Sequence, residues 1–143
     1  MKQLVERIVK VERTLSERKG AFNLFALFLR EDAPGKWDLL IAAPWAEKGK
    51  LDTLRDVATE LQRTLDKKEL LQLSRIVVID EKDPALRAFQ QAFHVEHGTA
   101  EIQNSNLFGL QIRHAYLITS RRSDTAPNKA LQQTGPASDG SRG

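Results

Sequence analysis

From residue 2 to residue 19 the apolar side chains recur at helical spacing. Leu4, Ile8, Val11 and Leu15 step by 4, 3 and 4, which places them in one narrow stripe of an α-helix. Val5 and Val9 widen the stripe, while Arg7, Lys10, Arg13 and Glu17 fall on the other side. Arg18 and Lys19 followed by Gly20 match a helix C-terminus, where cations meet the negative end of the dipole and glycine accepts a left-handed turn. The stripe has two readings. Either it docks on a sheet of the same chain, or Leu4, Ile8, Val11 and Leu15 form an interface seam with another molecule.

The period then changes from helix to strand. Phe22–Leu29 is apolar on both alternating faces, as in a strand covered on both sides. Ala33-Pro34-Gly35-Lys36 carries Pro and Gly where a type II turn needs them. Trp37–Ala43 returns as the antiparallel partner, with Trp37 on the packed face, and Pro44 ends it. Helical spacing resumes at Leu51, Leu54, Ala58, Leu61 and Leu65, with Asp52, Arg55, Asp56, Glu60 and Arg63 away from that stripe. Asp66-Lys67-Lys68-Glu69 reads as a capping box that opens a short second helix carrying Leu70, Leu71 and Leu73.

Arg75–Asp80 is β-branched and apolar on both faces, the signature of an interior strand. Strand, helix and buried strand in succession imply a right-handed parallel crossover. Asp83-Pro84 supplies an N-cap and an N1 proline for a further helix burying Leu86, Phe89 and Phe93. A short strand at Ala100–Gln103 is expected to turn at Asn104-Ser105-Asn106. Leu110–Thr119 alternates Ile112, His114, Tyr116 and Ile118 against Gln111, Arg113, Ala115, Leu117 and Thr119. The summed order α-β-β-α-β-α-β-β describes an α/β (or α+β) domain over residues 1–122, a mixed four- to five-stranded sheet covered by helices. Residues 123–143 hold Leu131 as their one large aliphatic residue and read as a disordered C-terminal tail.

Composition narrows the chemistry. A chain of 143 residues suffices for one domain. The absence of cysteine removes disulfides, thiolate metal sites and cysteine catalysis, and it suits a reducing cytoplasm. With no run of about 18 apolar residues and no secretory signal pattern, no membrane association is expected. The sequence pI of about 9.3 suggests nucleic acid, yet residues 1–120 carry 18 Lys and Arg against 17 Asp and Glu. Such a body has no clustered basic face to bind phosphates. Arg113, Arg121 and Arg122 with Tyr116 are the one local grouping of cations and an aromatic ring, so nucleic acid stands as an alternative partner rather than the expected one.

No phosphate-cradling glycine loop and no G-x-S-x-G elbow occurs, so no nucleotide cofactor is expected. His94-Val95-Glu96-His97 together with His114 has the residue types of a three-imidazole zinc site. The spacing departs from H-E-x-x-H, and Gly98 ends the helical pattern, so surface or capping roles are the expectation and no metal is assigned. Asp38 and Asp80-Glu81-Lys82 resemble the D…[DE]-x-K set of a large metal-dependent nuclease superfamily. By that resemblance Asp38 and Asp80 would hold magnesium and Lys82 would orient water. Here a long helix intervenes between the acids, whereas that superfamily places them on adjacent strands.

Trp45 follows Pro44 just past a strand end, where ligand or partner contacts gather in open α/β sheets, and tryptophan favours interfaces. The run Phe22–Asp32, the segments Lys36–Leu40 and Ala43-Pro44-Trp45, and Leu107-Phe108-Gly109-Leu110 resemble a small bacterial α/β domain family without established activity, over roughly residues 1–120. Pro127–Pro136 resembles repeat-derived extensions on unrelated bacterial reading frames. The expected function is a non-catalytic protein-interaction domain that associates with a protein partner or itself as a homo-oligomer. Trp45, Leu4, Ile8, Val11 and Leu15 are its candidate interface. Phosphodiester hydrolysis through Asp38, Asp80 and Lys82 is the enzymatic alternative.

Overall fold

Two apolar faces on one sheet require two covers, and the fold supplies them unequally. A computed structural model describes residues 2–33, 35–47 and 49–122. Helix α1 (Lys2–Lys19) precedes the hairpin β1 (Leu24–Arg30) and β2 (Trp37–Ala42). A short α2 (Pro44–Glu47), the long α3 (Lys50–Thr64) and a single turn α4 (Lys67–Leu70) lead to β3 (Leu73–Val78). Then come α5 (Pro84–Ala92), β4 (Ala100–Leu107) and β5 (Leu110–Ser120). The five strands form one mixed sheet in the order β3-β2-β1-β5-β4. Only β2 and β3 are parallel; the other neighbours run antiparallel.

On one face α1 and α3 bury Leu4, Ile8, Val11, Leu15, Val57 and Leu61 against Phe25, Leu27, Trp37, Leu39, Ile41 and Ile118. On the other, α5 sets Leu86 and Phe89 against Leu24, Ala26, Phe28, Leu40 and Leu117. Leu4 is 2 % exposed and Ile8, Val11 and Leu15 are fully buried. The stripe is therefore spent inside its own chain, and the interface role proposed for these four residues is corrected by their burial.

Several local rules hold as written. Asp66 and Glu69 make the reciprocal capping box, and Asp83 caps α5 ahead of Pro84. Gly35 has φ +82, and the Lys36 amide donates to the Ala33 carbonyl at 3.4 Å, as a turn with glycine at its third position requires. Other expectations shift. In α3 the buried positions are Thr53, Val57, Glu60 and Leu61, while Leu51 is 66 % exposed. Thr53 donates to the Ala46 carbonyl, and that tie to α2 rotates the helix away from the leucine-only stripe. Leu73 begins β3 instead of ending a helix.

The turn between the last two strands also moves. It lies at Phe108-Gly109, with φ +54 and +75, the two left-handed residues of a tight hairpin between paired Leu107 and Leu110. Asn104, expected in the turn, stays in β4 with φ +48. The β1–β5 register slips between Leu29/His114 and Arg30/Ile112. That bulge switches the parity of β5, so Ile112 joins Ala115 and Leu117 in the second core while Tyr116 and Ile118 pack with the first. No described helix is long and apolar enough to cross a membrane. The tail, residues 123–143, lies outside the described residues.

Candidate functional site

The two edges of the sheet differ in chemistry. At one edge, β4 presents exposed Glu101, Gln103, Asn104 and Asn106 and an irregular backbone at Asn104, features that blunt pairing with another strand. At the other, β3 presents Ile76, Val77 and Val78 with Ile79 beyond them. All four are half-buried, Ile76 and Val78 against the first core, Val77 and Ile79 against the second. The Ile79 amide donates inward to the Ile41 carbonyl at 2.8 Å. Strand alternation then turns the N–H and C=O of Ile76 and Val78 outward, away from β2. Among the described residues, a segment whose composition fits a sheet interior thus occupies an edge.

A second feature lies where α1 crosses the end of β5. Glu12 is fully buried. Its Oε1 lies 2.7 Å from His97 Nδ1, and its Oε2 accepts from Thr119 Oγ1 at 2.8 Å. Thr119 Oγ1 in turn accepts from the His97 backbone N–H at 3.2 Å. These three bonds close a ring around a carboxylate that would cost several kcal/mol to bury alone. His97 has φ +50, a left-handed conformation uncommon outside glycine. A cavity of about 20 Å³ lined by Glu12, Ala21, Phe22, Glu96, His97, Thr119 and Arg121 adjoins the ring, room for about one water. Pattern reading passed over Glu12, although a signal was there: Val5, Ile8, Glu12 and Leu15 step by 3, 4 and 3, placing an acid at a core position.

The three imidazoles do not converge. His94 pairs with Glu96 at 3.2 Å on the surface, His97 with Glu12, and His114 Nε2 with Glu101 Oε2 at 2.5 Å. No group of three or more His, Asp or Glu among the described residues is arranged to hold a metal ion. Nor do the acids of the nuclease-like set meet. Asp38 lies opposite Arg75, and Asp80 follows five residues later along the same extended run, about 16 Å away at the strand rise. Asp38 Oδ2 instead takes Arg30 Nε at 2.8 Å and Arg75 Nε at 3.3 Å, while Asp80 accepts from the Lys82 backbone N–H at 2.8 Å. One ion cannot bridge that span, so the proposed catalytic trio of Asp38, Asp80 and Lys82 is corrected by the register.

Trp45 folds back on the chain. Its Nε1 donates to the Gly20 carbonyl at 2.9 Å, and its ring meets Phe22 edge-on at 5.2 Å. It is half-buried and packed against the first core, which makes it an internal brace rather than an interface anchor. The basic grouping disperses too. Arg121 is drawn to Asn23, and Tyr116 stacks on His114 at 4.6 Å and leans on Trp37 at 5.5 Å. Arg30, Glu31, Asp32, Gly109, Leu110 and Gln111 line a wider, shallow depression of about 360 Å³, whose cation Arg30 is already paired with Asp38 and Asp32.

Burial, and secondarily the Glu101 carboxylate, push the Tyr116 phenol above its ordinary value of 10.0. The folded protein therefore holds this proton where the unfolded chain has begun to release it. Stability is fully present below pH 10 and falls as pH rises through the folded value. Tyr116 is the single tyrosine, so absorbance at 295 nm reads it alone. The expected midpoint lies above 10, and Glu101→Gln lowers it; a midpoint at or below 10 contradicts the assignment. Compared with known proteins, the chain matches no family model, no curated protein and no solved structure.

Proposed function

We propose that this domain is a protein-association module that pairs with a second copy of itself through the free edge of β3. The observation that carries the reading is the position of Ile76-Val77-Val78-Ile79: apolar on both faces, yet flanked, among the described residues, by β2 on one side only. Edge strands of stable monomers carry inward charges, prolines or bulges across their middle, and this four-residue stretch has none. Antiparallel pairing about a two-fold axis at Val77 satisfies it. The outward groups of Ile76 then bond those of Val78 in the partner, Arg75 lies beside apolar Ile79, and the Ser74 hydroxyl faces the Asp80 carboxylate. The strand is complementary to its own reverse, which favours a second copy over an unrelated partner. A cysteine-free chain of this kind suits a reducing cytoplasm.

Light scattering on the full chain is expected to give twice the 16.1 kDa protomer mass. Val78→Pro removes an outward N–H without touching the bonds to β2, and it is expected to yield a folded monomer. The cysteine-free background permits a sharper measurement. Residues facing each other at Val77 would sit about 4.5 Å apart between Cα atoms, within disulfide reach. Val77→Cys is therefore expected to cross-link to a dimer under mild oxidation, whereas Asn104→Cys on β4 is not. A wild-type monomer at high micromolar concentration, or equal cross-linking from both cysteines, overturns the proposal.

A further inference from the structure

The apolar surface around β3 does not end at the strand. Steps of about 100° per residue place Leu51, Leu54 and Ala58 within about 60° of one another on α3. Both cores close without these three. Leu51 is 66 % exposed, and Leu54 and Ala58 are half-buried. Ion pairs fix which way the stripe points. Asp56 and Glu60 reach Lys19 and Arg18 at 2.8 and 2.9 Å, so they mark the flank of α3 turned to α1. Val57 and Leu61 point to the sheet, which leaves the stripe on the flank opposite α1. Helix α1 reaches β5 through Glu12 and Thr119, on the far side of β1 and β2 from β3. The stripe therefore overlooks the free edge of β3. Of its exposed neighbours Thr59 and Gln62 carry no charge, and Arg55 is paired with Asp52 within the helix. Low charge of this kind is the mark of an interface centre.

From this placement we infer that α3 is a second layer of the self-association surface, its Leu51-Leu54-Ala58 stripe packing against the same stripe of a second copy. The inference rests on the β3 pairing proposed above, and that pairing selects the occupant. A two-fold axis through Val77 brings the α3 of the other copy to the same face of the joined sheet. Val57 and Leu61 share one core cluster with Leu39 and Ile41 of β2 and touch the layer of Ile76 and Val78 in β3, so α3 sits over both strands. Strands about 4.8 Å apart then set the two helices about 10 Å from each other, a helix packing distance. Because β2 and β3 are parallel, α3 runs opposite to both, and its first half lies level with Val77. Leu54 comes near the axis, and Leu51 falls beside Ala58 of the second copy, large against small. An unrelated protein has to supply a matching strand and a matching helix together. A second copy carries both.

Sedimentation velocity on the full chain tests the contact. Leu51→Glu is expected to raise the dimer dissociation constant about 10-fold or more, as a charge set into an apolar contact does. Gln3→Glu, on the exposed side of α1, is expected to leave it unchanged. Retained amide NMR dispersion in Leu51→Glu separates loss of contact from loss of fold. A mixture of Leu51→Cys and Ala58→Cys chains is expected to join through a short bismaleimide more than either chain alone. The Val77→Cys cross-link sorts the outcomes. If it forms while Leu51→Glu leaves the dimer intact, the α3 contact is overturned and the β3 pairing stands. If it fails, the β3 pairing and the contact built on it fall together. A Leu51→Cys thiol alkylated as fast in the dimer as in the Val78→Pro background also overturns the contact, and leaves the stripe to a different protein.

Discussion

Ile8→Asp is expected to abolish the cooperative fold. Ile8 is fully buried in the middle of α1, packed among Leu4, Val11 and Leu15 in the core shared with β1 and β2. An aspartate there leaves a desolvated acid among apolar neighbours and removes a large aliphatic side chain. Losses above about 4 kcal/mol are diagnostic of this kind of change, and a domain of this size has only about 5–15 kcal/mol in all. Urea titration followed by circular dichroism and amide NMR checks it. The expected signature is a missing or strongly left-shifted transition with collapsed amide dispersion. A well-folded Ile8→Asp monomer would instead restore α1 to the role of an interface helix.

Arg30→Met is expected to cost about 3 kcal/mol, the scale for stripping one partner from a buried ion pair. Asp38 is 2 % exposed and lies among apolar residues of the second face, opposite Phe28. Arg30 is its nearer cation and is largely buried; Arg75 is the farther and half exposed. Methionine keeps much of the aliphatic stem and removes the charge. Asp38 Oδ1 is already buried without a hydrogen-bond partner among the described residues, so the aspartate itself contributes little beyond its arginines. Adding Asp38→Leu to Arg30→Met is therefore expected to recover most of the loss, since Arg75 can return to water. Urea midpoints of the two singles and the double form the cycle; additive losses would show that the pair acts no differently from two unrelated sites.

The contrast between these residues explains what pattern alone conveys. Alternation and helical spacing report that a side chain is covered, and they located the hairpin, the caps at Asp66 and Asp83 and the buried stripe of α1. They do not report what does the covering. Ile76–Ile79 reads as interior because both faces are apolar, but faces are filled by helices and edges by strands, and only the assembled order exposes the edge. The bulge at Arg113 was illegible for a related reason. A single extra residue reverses every side chain beyond it, and nothing in Gln111-Ile112-Arg113-His114 marks the slip. Asparagine tolerates a left-handed backbone, and Asn104 adopts it inside β4 rather than in the expected turn. At the polar cluster, Glu12 could be flagged by its spacing, whereas its partners His97 and Thr119 are 85 and 107 residues away.

Those separations bear on how the chain is made. Helix α1 leaves the ribosome before the sheet it packs on, yet its central acid meets its partners only 85 and 107 residues later. The strand that follows it also lies between β2 and the final strand. At about 5–20 residues per second, Thr119 emerges roughly 5–20 seconds after Glu12. For that interval the stripe of Leu4, Ile8, Val11 and Leu15 has no finished sheet to rest on, and it is a natural target for chaperones on the nascent polypeptide.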